Sequence, residues 1–247
     1  MRIIPIVLLM LSATPMVAQF VSTPWDARSC SMGGCSFEND NRQYVSLSHR
    51  QGFAVLGLST QRLGVGWTVG AQGWMATDYI FFGDVDYSEQ QVVAGGGMWI
   101  DEWLGLSVEG RYCRLGTGDG CYKPERWMAM AARATVRVNS KLTLSALAGS
   151  RPWDSNCPWR MHVNAVFVPS SGLLAVVELE SEERLRLRCG AEYGYREHFF
   201  FRAGMATYPI TLTFGFGLQY EHYRIDLAAE AHNTLGITPQ ISMSLCL

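Results

Sequence analysis

Arg184-Leu185-Arg186-Leu187-Arg188-Cys189-Gly190-Ala191-Glu192-Tyr193-Gly194-Tyr195 alternates from end to end. In an extended chain, successive side chains point to opposite faces. Leu185, Leu187, Cys189, Ala191, Tyr193 and Tyr195 therefore share one face. Arg184, Arg186, Arg188, Gly190, Glu192 and Gly194 share the other. One side is greasy and the other is charged or small. A helical period would mix the two sets, so this stretch reads as a strand.

The same split recurs outward from it. Leu212, Phe214, Phe216, Leu218 and Tyr220 oppose Thr213, Gly215, Gly217, Gln219 and Glu221. Tyr223, Ile225, Leu227, Ala229 and Ala231 oppose Arg224, Asp226, Ala228, Glu230 and His232. Ile241, Met243, Leu245 and Leu247 oppose Ser242, Ser244 and Cys246. Further upstream, runs over 104–112, 128–139 and 65–75 behave alike. Runs of about nine to eleven residues match a tilted strand that crosses a bilayer. Strands of soluble sandwiches are usually nearer five or six residues. The glycines on the polar face would expose backbone to water in a soluble protein, whereas inside a barrel they leave room. The expected fold is all-β: a single closed antiparallel transmembrane barrel, apolar outside and polar inside, of about twelve strands, with ten to fourteen admissible.

Composition agrees. The 247-residue chain is only 17% charged, with a formal net charge of -2. Mean hydropathy is +0.04, low for a bundle of membrane helices but natural for strands that show lipid only every second residue. No basic excess points to nucleic acid. Met1-Arg2, the apolar run Ile3 to Leu11 and Ser-Ala-Thr-Pro-Met-Val-Ala read as a signal peptide over 1–18, cut after Ala18. Residues 19–40 show no alternation and read as an N-terminal plug or leader; 41–247 form the barrel. Loops near Asp78–Ser88, Gly116–Glu125 and Ser150–Pro158 are expected outside. Tryptophans and tyrosines, Trp67, Trp99, Trp103, Trp127, Tyr193, Tyr220 and Tyr223 among them, fall near strand ends, where amphipathic rings settle at membrane interfaces.

Two segments resemble a known family. Ala27-Arg28-Ser29-Cys30-Ser31-Met32-Gly33-Gly34-Cys35 resembles the ARS-x-x-MGGA segment of FadL-like outer-membrane barrels, including the PorV and PorQ-like proteins of the Bacteroidetes. Arg188 to Tyr193, Phe201 to Gly204, Phe214 to Leu218, Ile225 to Ala228 and His232 to Pro239 resemble the family's C-terminal third. The resemblance implies a Gram-negative outer-membrane location. It also implies an N-terminal hatch folded into the barrel, and either passage of a small hydrophobic molecule or a role as a type IX secretion accessory. The partners it implies are outer-membrane lipid, such a molecule, or secretion-system proteins. The chain departs from the pattern in being shorter, which implies fewer strands and a narrower bore. Cys30 and Cys35 replace small residues, and Leu247 stands where an aromatic commonly closes such barrels.

The candidate ligand or lumen residues are Arg186, Arg188, Glu192, Arg202, Glu221, Arg224, Asp226 and Glu230, with Glu109, Arg111, Arg133 and Arg137 on earlier strands. Charges inside a narrow barrel must pair or meet water, so these form either a salt-bridged wall or a polar path. Met32, Gly33 and Gly34 are a candidate hatch turn, two glycines allowing a tight bend. Cys113 and Cys121 flank a hairpin tip where a disulfide is sterically reasonable; Cys30 and Cys35 are a second such pair. His49, His162, His198, His222 and His232 show no metal-ligand spacing, and no cofactor is expected. His232 with Ser242 and Ser244 is the one catalytic constellation that can be drawn, and an enzyme is not the expected reading.

Overall fold

The structure, a computed structural model, describes residues 26–36, 43–55, 57–84, 87–117, 124–150, 160–181 and 184–247. The expected signal peptide over 1–18, Cys121, Cys157, Trp153 and Trp159 lie outside the described residues.

A short helix α1 (Ala27–Ser31) is followed by strands β1 (Tyr44–Gln51), β2 (Ser59–Val69), β3 (Gly73–Gly83), β4 (Tyr87–Trp99), β5 (Leu104–Thr117), β6 (Glu125–Arg137) and β7 (Leu142–Ser150). Then come β8 (Arg160–Ser170), β9 (Leu173–Ser181), β10 (Leu185–Tyr195), β11 (Phe199–Ala206), β12 (Thr211–Tyr220), β13 (Tyr223–His232) and β14 (Gly236–Cys246). Each strand pairs antiparallel with its sequence neighbours, and β1 pairs with β14 to close one barrel. Closure removes every sheet edge, which a strand structure in lipid requires.

Among the described residues there are fourteen strands rather than about twelve, the upper end of the admitted range. Two readings caused the shortfall. The run Val65 to Met75 is two strands joined by a turn at 70–72. The loop expected over Asp78–Ser88 is mostly strand: β3 continues to Gly83 and β4 begins at Tyr87.

The faces divide as the alternation requires. Val108 is 67% exposed and Phe214 57%, while Arg202 is 4% exposed and Glu178 fully buried. A barrel that turns aliphatics outward over its whole girth and buries ion pairs is stable only with lipid around it. Trp67, Trp103, Tyr193, Tyr195, Tyr220 and Tyr223 stand exposed beside the turns at one end, with Tyr87 and Tyr208 toward the other. Trp99 breaks the expected girdle: it faces inward, with the Arg137 guanidinium 3.6 Å from its ring centroid.

Candidate functional site

Residues 26–36 run around the inner wall of the barrel. Asp26 starts α1 by accepting a hydrogen bond from the Ser29 amide at 2.6 Å. A five-residue helix has almost no stability of its own, so its place is set by the wall it touches. The Ala27 amide donates to Ser242 Oγ (3.2 Å) on β14. Ala27 and Cys30 pack on Ala228 of β13. The Gly33 amide donates to Thr213 Oγ1 on β12 at 2.9 Å, and that hydroxyl donates to Ser31 O at 3.0 Å. The Gly34 carbonyl accepts from Arg188 Nη1 (3.0 Å) on β10. Ser36 donates from its amide to Glu178 Oε2 (2.9 Å) on β9, and its carbonyl accepts from Asn164 Nδ2 (2.8 Å) on β8.

The Met32-Gly33-Gly34 turn needs its glycines, with φ of +75° at Gly33 and +79° at Gly34. The wall beneath needs glycines too, for approach. A Cβ on Gly204 would stand 2.3 Å from the Gly33 amide nitrogen. One on Gly190 would stand 2.6 Å from Met32 O, and one on Gly215 would stand 2.3 Å from Ser31 Cβ. Gly190 and Gly204 are paired neighbours on β10 and β11. Together they make a shallow tread that receives the turn. Met32, fully buried, packs with Cys35 against Val176, beside Val166 and Leu174.

Charge clusters flank this tread. On one side Glu192 accepts a two-pronged contact from Arg28, at 3.0 Å from Nε and 2.8 Å from Nη2, and a third bond from Arg202 Nε at 2.5 Å. Arg202 also lies 2.8 Å from Asp226, which accepts from Arg224 at 2.9 Å. Three guanidinium groups thus share two carboxylates. On the other side Arg188 lies 3.2 Å from Glu178 and 2.5 Å from Glu180, and His162 sits between the same acids at 3.3 and 3.5 Å. Burial pushes the Cys30 thiol up to about 12 and raises Cys35 as well, so both stay protonated. Both are free rather than bridged to each other, which overturns the second suggested cysteine pair.

Among the described residues, part of the lumen is open. A cavity of about 300 Å³ lies between the segment and the strands of the N-terminal half. Its strand side includes Trp74, Ala76, Val93, Gly95, Ala131 and Leu147; its segment side includes Asp26, Arg28 and Ser29.

Of the sequence candidates, Glu192, Arg202, Arg224 and Asp226 come together in one cluster, and Arg188 belongs to the other. Arg186 lies at the edge of the second, 3.6 Å from Glu180. Glu230 pairs with Arg50 at 2.6 Å. Glu221 is a correction: it is an exposed turn residue with φ of +52°, because the β12 alternation stops at Tyr220. Arg28, Glu178, Glu180, Asn164, Arg62 and Asp78 were not singled out by sequence. Glu178 and Glu180 alternate with Val177 and Leu179, a signal that could have found them. The catalytic constellation does not assemble. His232 pairs with Gly236, while Ser242 lies opposite Asp226, about 20 Å farther along β14 at roughly 3.3 Å per residue. Cys113 is buried, and its suggested partner lies outside the described residues.

No family model matches the chain, and no curated protein matches it either. Solved structures do. The toluene transporter TodX of Pseudomonas putida superposes with a TM-score of 0.64 at 9% identity, over 91% of this chain and 97% of that one. The toluene transporter TbuX of Ralstonia pickettii gives 0.60 at 13% identity, over 91% and 97%. The outer membrane protein Omp33 of Acinetobacter baumannii gives 0.59 at 7% identity, over 83% and 98%. At such identities the likeness is one of fold: this is an outer-membrane barrel built like those of hydrocarbon transporters.

Proposed function

We propose that the barrel passes a small hydrophobic molecule across or into the outer membrane, and that residues 26–36 are the hatch. The observation that carries this reading is the divided lumen. One half is occupied by the segment, and the other is a cavity of about 300 Å³ with Trp74, Val93, Ala131 and Leu147 on its strand wall. That is the low end of the range for small-ligand sites. The fold shared with TodX and TbuX supports it. The lumen candidates then take distinct roles: Glu192, Arg202 and Asp226 anchor the hatch through Arg28, and Arg188 holds it through Gly34.

The test is bilayer conductance and liposome swelling on the mature protein with and without residues 19–40. Flux that rises on deletion supports the hatch and the passage. Should the shortened chain fail to fold, Glu192→Gln, which removes the negative charge paired with Arg28 and breaks its two-pronged contact, serves instead. A lack of flux in every form would sink the reading and leave a binding role, of which a secretion accessory is one.

A further inference from the structure

Arg133 on β6 faces the cavity without a carboxylate. Among the described residues no acid lies within ion-pair distance of it, and its one hydrogen bond is a long one, 3.5 Å to Ser145 Oγ on β7. The nearest inward acid by register is Glu109, opposite Ala131 on the neighbouring strand, and Arg160 holds that carboxylate at 2.9 Å. Asp26, across the cavity, caps α1. The other cavity arginines are matched: Arg28 by Glu192, Arg62 by Asp78 at 2.6 Å, and Arg224 by Asp226. A guanidinium inside a barrel must pair with an anion or meet water, and Arg133 has no carboxylate among the described residues.

The register shows what surrounds it. Trp74, Gly97, Ser107, Arg133 and Leu147 stand in one inward row across five consecutive strands. Trp74 and Arg133 are three strands apart, roughly 14 Å at about 4.8 Å per strand. Only Gly97 and Ser107 lie between them in the row; the adjoining row carries Gly95, Glu109 and Ala131, with the Glu109 carboxylate held by Arg160 at 2.9 Å. The result is a bay with an indole at one end, a guanidinium at the other and a floor of small residues bordered by the Arg160-paired Glu109. Leu147 covers the far flank of Arg133.

Resting on the transport reading above, we propose that this bay selects compact amphiphilic anions. The ligand is a ring-sized apolar body carrying one carboxylate, the carboxylate on Arg133 and the body over Gly97 and Ser107 against Trp74. A guanidinium presents its donors as a planar fork that matches a carboxylate in two parallel bonds. The indole face and small floor favour a flat apolar body over a hydrated ion. A longer chain would have to displace the hatch, since residues 26–36 form the opposite wall.

The probes are benzoate and its neutral counterpart benzyl alcohol, titrated calorimetrically at neutral pH into the detergent-solubilised barrel and its Arg133→Gln and Arg133→Lys variants. Folding of each variant is checked by circular dichroism. Benzoate is expected to bind the parent at least tenfold more tightly than Arg133→Gln, with Arg133→Lys between them. Benzyl alcohol is expected to bind all three alike. Added salt should weaken benzoate and spare the alcohol. Equal benzoate binding by parent and Arg133→Gln would overturn the proposal, as would displacement of benzoate by equimolar phosphate, which has no apolar body. Liposome uptake of the same probes separates the two claims. Arg133-dependent binding without uptake keeps the site and removes the transport reading. Uptake together with equal benzoate binding by parent and Arg133→Gln keeps transport and removes the site.

Discussion

The wall formed by β8–β14 and the wall formed by β1–β7 are the same kind of sheet, yet they face the lumen differently. The first presents Glu178, Glu180, Arg188, Glu192, Arg202 and Asp226, all buried, around a glycine tread into which another part of the chain is pressed. The second lines an open cavity with Trp74, Ala76, Val93, Gly95, Ala131 and Leu147, interspersed with Arg62, Asp78, Glu109 and Arg133. The charges of the first wall are covered by protein and satisfied by hydrogen bonds; those of the second face the cavity among apolar and small side chains, and among the described residues Arg133 has no carboxylate there. Both walls keep a greasy exterior, so lipid sets the outside pattern and the contents of the lumen set the inside one.

Adding bulk to the two walls should break the comparison most sharply. Gly204→Val places side-chain atoms where the backbone of residues 26–36 sits, since any Cβ there would stand 2.3 Å from the Gly33 amide nitrogen. Overpacking costs about 1–3 kcal/mol and can cost more where backbone must move. We expect the hatch to leave its tread, read as a large rise in single-channel conductance and a lowered melting temperature. Unchanged conductance would mean that the tread does not hold the segment.

Next comes charge. Glu192→Gln removes the negative charge shared by Arg28 and Arg202, and loss of one charge of a buried pair costs about 3–5 kcal/mol. Asp78→Asn, in the open wall, affects the single Arg62 contact and should cost less. Chemical denaturation of the two variants side by side gives the ranking, and equal losses would remove the distinction between the walls.

A finer probe is chemical. The thiolate is the reactive form of cysteine, so thiols that burial keeps protonated should resist a water-soluble maleimide at neutral pH. Cys30 and Cys35 should label slowly in the parent and faster in Glu192→Gln, followed by mass spectrometry of the labelled peptides. The smallest stability effect belongs to Ser107→Leu, which puts bulk into the open bay. Its change in stability should stay within about 1 kcal/mol, as for substitutions that meet no packed neighbour, while probe uptake falls. A large loss of stability would show that the bay is packed.

The sequence carried the outer face far better than the inner one. Leu185 to Tyr195 and Tyr223 to Ala231 announce their strands because lipid demands a greasy residue at every second position. The turn at 70–72 stayed hidden for a geometric reason. Trp67 and Val69 before it and Met75 and Tyr79 after it all face outward at odd positions, so the alternation passes through the turn unbroken. Across Tyr220–Tyr223 the parity changes, and the two strands separate by eye. Val176 illustrates the harder case. A valine on the polar face makes sense only once Met32 and Cys35 are known to cover it, more than 140 residues away in the chain. The anchoring role of Arg28 was beyond reach for the same reason, since nothing near it in sequence is its partner.

The placement of residues 26–36 has a consequence for how the molecule comes into being. Their anchors among the described residues, from Asn164 through Glu178, Arg188 and Glu192 to Thr213 and Ser242, belong to the C-terminal half of the chain, and those hydrogen bonds span 128 to 215 residues of sequence. A five-residue helix has almost no stability of its own, so the segment has no seat until those strands are formed. The seam between β1 and β14 waits on the same half of the chain, so closing the barrel and seating the segment draw on one set of late strands.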